Sequence, residues 1–210
     1  MANACAQVFG CILASFGLTC LIVGTCVNEW KTYGHAGQGP VTSFMVNTGL
    51  WMECSIPSTA KQECTGFDSI LDLPAEIQVT RAIMILSIAL SVCGLATAIL
   101  GMKCTLCLDA DDLVKNKVAF TGGMLLILSG VCALGIVSWY ANSVVTSYYD
   151  HEERALKFSL GKCLFLGWGG ALLSIIGGAF MACCSLSKSS PHRAYVSSTP
   201  VQLVAGKEYV

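Results

Sequence analysis

The chain predicts a membrane all-α four-helix bundle carrying a small extracellular antiparallel β-sheet, and three observations lead there. Four long segments hold no Asp, Glu, Lys or Arg: residues 1–28, 82–102, 118–149 and 163–187. Each reaches or exceeds the roughly 20 apolar residues that cross about 30 Å of hydrocarbon. Hydrophobic side chains make up 54% of the 210 residues and charged ones 12%, a balance unlike that of a soluble globular chain. Between the first two segments lies a polar stretch with β-branched and aromatic residues, in which Cys54 and Cys64 close a hairpin-sized loop. If that pair is oxidised, the chain-entropy account assigns it about 2.8 kcal/mol of stabilisation.

The elements follow in order. The first span, set at about residues 7–27, contains Gly10, Ala14, Gly17 and Gly24, small enough for a neighbouring helix to approach closely. It lacks the basic start of a cleaved leader and is longer than an ordinary leader's apolar core, so it reads as a retained span. The first extracellular loop, residues 28–80, opens with a Gly-rich turn over 32–40. Strands over 41–46 and 48–54 follow, with Asn47 at their junction. A sheet this small needs a staple, which a Cys54–Cys64 bridge supplies. Asp68-Ser69-Ile70-Leu71 and Pro74-Ala75-Glu76-Ile77 read as helix starts leading into the second span, about 82–102. That span pairs Gly94 with Ala98. The third, about 118–140, carries Gly122, Gly123 and Gly130 and ends at the aromatic pair Trp139-Tyr140, with a helical pattern running on toward Tyr148-Tyr149. After the second extracellular loop, 141–162, the fourth span at about 163–184 aligns Gly170, Ser174 and Gly178 on one face. Residues 1–184 thus form the membrane domain. The Ser-, Thr- and Pro-rich residues 185–210 are expected to be a disordered tail.

Lys and Arg divide six against six between the two sides, so the cysteines orient the chain instead. An oxidised Cys54–Cys64 pair places residues 29–81 outside and both termini in the cytoplasm. Cys104, Cys107, Cys183 and Cys184 then sit at the cytoplasmic ends of spans two and four. That position suits S-palmitoylation, or simply small apolar residues at an interface.

Chemistry of other kinds is not indicated. His35, His151 and His192 lie in three separate loops, which suggests no metal site. No ionisable acid or base occupies a span core, where proton relays and transporters place one. A nucleotide loop and a Ser-His-Asp spacing are lacking too, so no enzymatic activity, cofactor or nucleic-acid partner is expected.

Taken together, Trp30, Gly49-Leu50-Trp51, Cys54, Cys64 and Arg81 resemble the W–GLW–C–C–R signature of the claudin family. The likeness continues through residues 73–78, 101–105 and 161–168 and ends at Tyr209-Val210. It implies a multi-pass plasma-membrane protein of the tight junction, which polymerises into strands and controls paracellular permeability, mainly as a barrier. Its partners would be like and unlike claudins, in the same membrane and in the apposed one, together with membrane lipid. Zonula occludens scaffolds would bind Lys207-Glu208-Tyr209-Val210 through PDZ domains, by strand addition and carboxylate capture. Rival readings are a paracellular cation channel and an accessory subunit of another membrane protein. Trp51 is either a docking tip for lipid or a neighbour, or plain sheet core. Met45 and Val46 are either a lateral contact or one strand face.

The chain departs from the family in two places. Tyr148-Tyr149-Asp150 matches the family's second-loop pattern and makes Tyr148 and Tyr149 the candidates for contact across membranes, but His151 follows in place of proline and Ser159 stands where Glu is usual, which weakens that implication. Pro57 and Thr65 stand where pore-forming members place Asp. Glu53 and Glu63, flanking the cysteines, are then the candidates for charge selectivity, with at most a modest cation preference.

Overall fold

The four charge-free segments lie on α1 (Ala2–Cys26), α2 (Ala75–Gly101), α3 (Asp112–Asp150) and α4 (Lys162–Leu186). The structure, a computed structural model, describes residues 2–36, 43–57, 61–67, 73–102, 112–150 and 157–186. All four helices are long and apolar enough to cross a membrane. The helices exceed the apolar spans. Helix α2 starts at Ala75 because Pro74 precedes it with a fixed φ of −51° and no N–H to leave unpaired, and Glu76 places negative charge in the first turn. The Pro74 carbonyl accepts from the Ile77 and Gln78 amides at 3.0 and 3.3 Å.

Helix α1 packs on α4, α4 on α3 and α3 on α2, with a lighter contact between α1 and α2. The buried stripe of α2 runs Ile77, Thr80, Met84, Ser87, Ser91, Gly94, Leu95, Ala98, Gly101, at intervals of three, four and occasionally one. Ile85, Leu86, Val92 and Ile99 of the same helix are exposed. This inverts the soluble pattern, because lipid is as apolar as leucine and helix contact is won by small residues that let backbones close in. A Cβ on Gly122 would stand 2.6 Å from the Ala98 amide nitrogen, and one on Gly17 2.8 Å from the Gly170 carbonyl. Hydroxyls supply the directional part. Ser129 Oγ donates to the Ser87 carbonyl and shares a hydrogen bond with Ser91 Oγ, both at 2.6 Å.

At one end of the bundle stands a five-stranded antiparallel sheet of order β4-β3-β2-β1-β5. Its strands are β1 (Lys31–Ala36), β2 (Ser43–Thr48), β3 (Met52–Pro57), β4 (Glu63–Gly66) and β5 (Lys157–Leu160). Several sequence expectations shift here. The Gly-rich turn expected over 32–40 is in part strand, since β1 is paired on both sides, by β2 and by β5, and Gly34 is accommodated within it. Asn47 lies inside β2 opposite Cys54 rather than at a junction. The β2–β3 connection falls at Gly49-Leu50-Trp51, because Leu50 turns inward to full burial and Gly49 N donates to the Met52 carbonyl at 3.0 Å. Strand β5 lies within the loop expected at 141–162, and α3 continues as helix into that loop as far as Asp150. The helical extension toward Tyr148-Tyr149 is present, and the helix start at residues 68–71 lies outside the described residues.

Candidate functional site

The residues of the W–GLW–C–C–R pattern converge where the sheet meets the helix ends. A helix leaves its last four carbonyls without intrahelical partners. For α1, two indoles supply part of what is missing: Trp30 Nε1 donates to the Gly24 carbonyl at 2.8 Å, and Trp51 Nε1 to the Thr25 carbonyl at 3.0 Å. Trp30 is fully buried and meets Tyr140 of α3 edge to face, with ring centroids 5.3 Å apart. Leu50 is buried beside it within the same core, together with Leu73, Ile77, Val144, Cys163 and Leu164. The first tryptophan and the leucine thus pin the sheet into the bundle.

Trp51 is not plain sheet core. It is 41% exposed, its indole caps α1, and the Arg81 guanidinium lies 5.0 Å above its ring. The same guanidinium lies 5.5 Å from the Phe67 ring, and Arg81 Nε donates to the Leu50 carbonyl. Arg81 therefore joins α2 to the β2–β3 turn through one hydrogen bond and two aromatic faces, an arrangement that a lysine would not reproduce. Gly49 is fixed by crowding, because a Cβ there would sit 2.4 Å from Asn28 Oδ1 and 2.5 Å from Asn28 Cα. The far strand is stitched on by backbone bonds from Gly161 N to the Trp30 carbonyl at 3.1 Å and from Cys163 N to the Glu29 carbonyl at 3.2 Å. Lys162 adds an ion pair with Glu29 at 3.3 Å.

Cys54 and Cys64 are directly opposed across β3 and β4, with Cα atoms 4.1 Å apart, and form the disulfide. Residues opposed in a sheet share a face. One face therefore carries Lys31, Tyr33, Val46, Thr48, Glu53, Ser55, Glu63 and Thr65, and the other carries Met45, Asn47, Cys54, Ile56 and Cys64. Val46 is buried and Met45 is 60% exposed, so these two do not form a joint contact.

Glu53 and Glu63 share a face but not an environment. Tyr33 Oη donates to Glu53 Oε1 at 2.5 Å, whereas Glu63 is exposed on the edge strand. Partial burial, then the hydrogen bond to Glu53 and its charge, push the Tyr33 phenol up to about 12. Burial lowers the Lys31 ammonium, opposed first by the charge of Glu76 and then by that of Glu53. Glu76 Oε1 in turn accepts from Ser143 Oγ of α3 at 2.5 Å. Sequence reasoning did not single out Lys31, Tyr33 or Ser143 as site residues, and it read Tyr140 as part of an aromatic belt rather than as the partner of Trp30. The register that sets Lys31 and Tyr33 on one face with Glu53 comes only from the strand pairing.

Of the remaining candidates, Cys183 is exposed and Cys184 half-buried near the end of α4 distant from the sheet. Tyr148 and Tyr149 belong to the last turn of α3. Cys104, Cys107 and Lys207 to Val210 lie outside the described residues. Among the described residues, no group of His, Cys, Asp or Glu is placed to hold a metal ion.

The architecture defines a multi-pass membrane protein that presents a disulfide-stapled sheet, locked to its helix ends by two indoles and a guanidinium. Residues 4–181 match the PMP-22/EMP/MP20/Claudin family. The chain is 38% identical to claudin-7-A of Danio rerio and 38% identical to claudin-1 of Rattus norvegicus, covering the whole of both chains in each case. It is 34% identical to claudin-19 of Homo sapiens, over all of this chain and 94% of that one. The chain belongs to the claudin family.

Proposed function

We propose that this chain is a tight-junction structural and adhesion protein, which polymerises into strands with like and unlike claudins and acts mainly as a paracellular barrier. The observation that carries this reading is the rigid mounting of the sheet. With Trp30 and Trp51 capping α1, Arg81 holding the β2–β3 turn and Cys54–Cys64 closing the outer strands, the sheet has little freedom to lose on assembly. Preorganisation of that kind favours polymerisation, because it removes the cost of ordering the interface from the cost of association. Nothing in this arrangement calls for catalysis.

In this reading the sheet lies outside the cell, where a disulfide persists, and the termini lie in the cytoplasm. Tyr148 and Tyr149 are proposed for contact across membranes. Cys104, Cys107, Cys183 and Cys184 are proposed for acylation, and Lys207-Glu208-Tyr209-Val210 for capture by the PDZ domains of zonula occludens scaffolds. Freeze-fracture of junction-deficient cells expressing the chain tests the central claim. Continuous fibrils are expected, and smooth membranes would turn the reading toward an accessory subunit.

A paracellular cation channel is the second reading, favoured by the acidic balance of the first loop. From residue 29 to 79 it carries Glu29, Glu53, Glu63, Asp68, Asp72 and Glu76 against Lys31 and Lys61, a formal charge of −4. Fixed acids near a path enrich cations, yet exposed charges beyond about 10 Å are screened in 0.1 M salt. Dilution potentials across expressing monolayers separate the readings. A high resistance with a modest cation preference is expected of a barrier.

A further inference from the structure

Lys31, Thr48, Glu53 and Thr65 form one transverse row across β1, β2, β3 and β4, all on the same face. Strands lie about 4.8 Å apart, so Lys31 and Glu53 stand on backbones roughly 10 Å apart, a gap that two long side chains can close. Glu63 occupies the next row and the edge strand, on a backbone about 16 Å from that of Lys31. Tyr33, also in that next row, reaches diagonally over the half-buried surface to donate to Glu53 Oε1 at 2.5 Å. The other neighbour of Lys31 in the sheet is Leu160 of β5. Glu76 at the start of α2, held by Ser143 Oγ at 2.5 Å, also acts on Lys31 through its charge, so this half-buried cation feels one carboxylate of the sheet and one of the bundle. A phenol fixes where the first of these points.

We infer that Lys31 is a selectivity-determining residue of the paracellular path: it offsets the charge of Glu53, which Tyr33 positions, and so leaves Glu63 as the carboxylate of this face that passing ions sense most. This rests on the barrier reading above and specifies its ion preference. Toward an ion in the path Lys31 offsets Glu53, whose carboxylate Tyr33 fixes in place, while the charge of Glu76 acts on Lys31 from the start of α2. A face that looks acidic in sequence is therefore largely silent along its central row, and the modest cation preference comes from the edge.

The experiment compares dilution potentials in monolayers expressing wild type, Lys31→Gln, Lys31→Arg, Glu53→Gln, Lys31→Gln with Glu53→Gln, and Glu63→Gln, each checked for fibrils. One uncompensated unit charge about 10 Å from the path, screened over a Debye length of about 10 Å, changes the cation-to-anion permeability ratio by roughly two-fold in 0.1 M salt. Lys31→Gln is expected to raise the ratio by that factor and Glu53→Gln to lower it. The double variant should return to wild type, Lys31→Arg should match wild type, and Glu63→Gln should lower the ratio. A silent Lys31→Gln on fibril-bearing cells in which Glu63→Gln is active would overturn the role of Lys31. A double variant identical to Glu53→Gln alone would do the same. Smooth membranes in wild-type cells would overturn the barrier reading, and the selectivity role with it. The positioning by Tyr33 has its own readout in detergent-purified protein, from the ultraviolet ionisation difference between wild type and Tyr33→Phe. That component is expected near pH 12 and should fall in Glu53→Gln while staying above the ordinary phenol value, because burial, the larger cause, remains. An unmoved midpoint would overturn the Tyr33–Glu53 coupling.

Discussion

At the scale of single residues, the two signature tryptophans do related work in different surroundings, and this separates their mutants. Trp30→Phe removes the donor to the Gly24 carbonyl in a fully buried site and leaves space beside Tyr140. A buried carbonyl without its partner costs about 1–3 kcal/mol, and the cavity adds to that. Trp51→Phe removes an equivalent bond where water can reach and keeps a ring beneath Arg81, so about 1 kcal/mol or less is expected. Thermal unfolding in detergent should rank Trp30→Phe well below Trp51→Phe; equal losses would mean that the indole caps contribute little. None of this could be read from spacing alone. That Trp30 and Trp51 stand 21 positions apart says nothing of two adjacent carbonyls at the end of one helix, and Thr25, which supplies one of them, carries no signal in the sequence. The pairing of Cys54 with Cys64 was legible, because polar neighbours and a short loop leave few other reasons for two cysteines there.

At the scale of elements, the helices were legible because absence of charge over the thickness of a membrane is a strong signal. The small residues expected to face neighbours do so, at Gly17 against Gly170 and Gly122 against Ala98. The strands were harder. Residues 31–33 have strand character but the Gly-rich run from Thr32 reads as a turn, and it is pairing with β2 and β5 that carries β1 on to Ala36; Lys157-Phe158-Ser159-Leu160 is too short to announce itself and becomes a strand by pairing with β1. Helix α3 outruns its apolar span as its helical pattern implied, and Tyr140, Ala141 and Val144 pack into the core around Trp30, a tertiary reason that the pattern did not carry. Packing and hydrogen bonding between α2 and α3 can be told apart by mutation. Ser129→Ala removes the bonds to Ser87 and Ser91, and such bonds in membrane helices average about 0.6 kcal/mol. Gly122→Leu drives a side chain into the Ala98 backbone, where even a Cβ is 2.6 Å away, so the two helices must part. Surface delivery and detergent stability should be nearly normal for Ser129→Ala and lost for Gly122→Leu. Similar behaviour in both would show that the close approach is not what holds α2 to α3.

At the scale of the whole molecule, the bundle has two chemically distinct ends, and the cysteines mark both. The sheet end holds the Cys54–Cys64 disulfide and, at the last residue of α1, the exposed Cys26. The opposite end holds exposed Cys5 near the start of α1 and exposed Cys183 near the end of α4. Four spans put Cys5 and Cys183 on one side together, so a single orientation fixes the fate of every thiol. If the sheet faces the oxidising side, a membrane-impermeant maleimide applied to intact cells should modify the exposed Cys26. Cys54 and Cys64 should react from outside only after reduction. Cys5 and Cys183 should stay unmodified until the membrane is opened, and Cys183, if acylated, until hydroxylamine has cleaved the thioester as well. Peptide mass spectrometry reads all five positions in one sample. Labelling of Cys5 from outside, or of Cys54 and Cys64 without reductant, would overturn the orientation. Since a disulfide-stapled sheet on the cytoplasmic face could neither persist nor meet another cell, it would remove the barrier function as well.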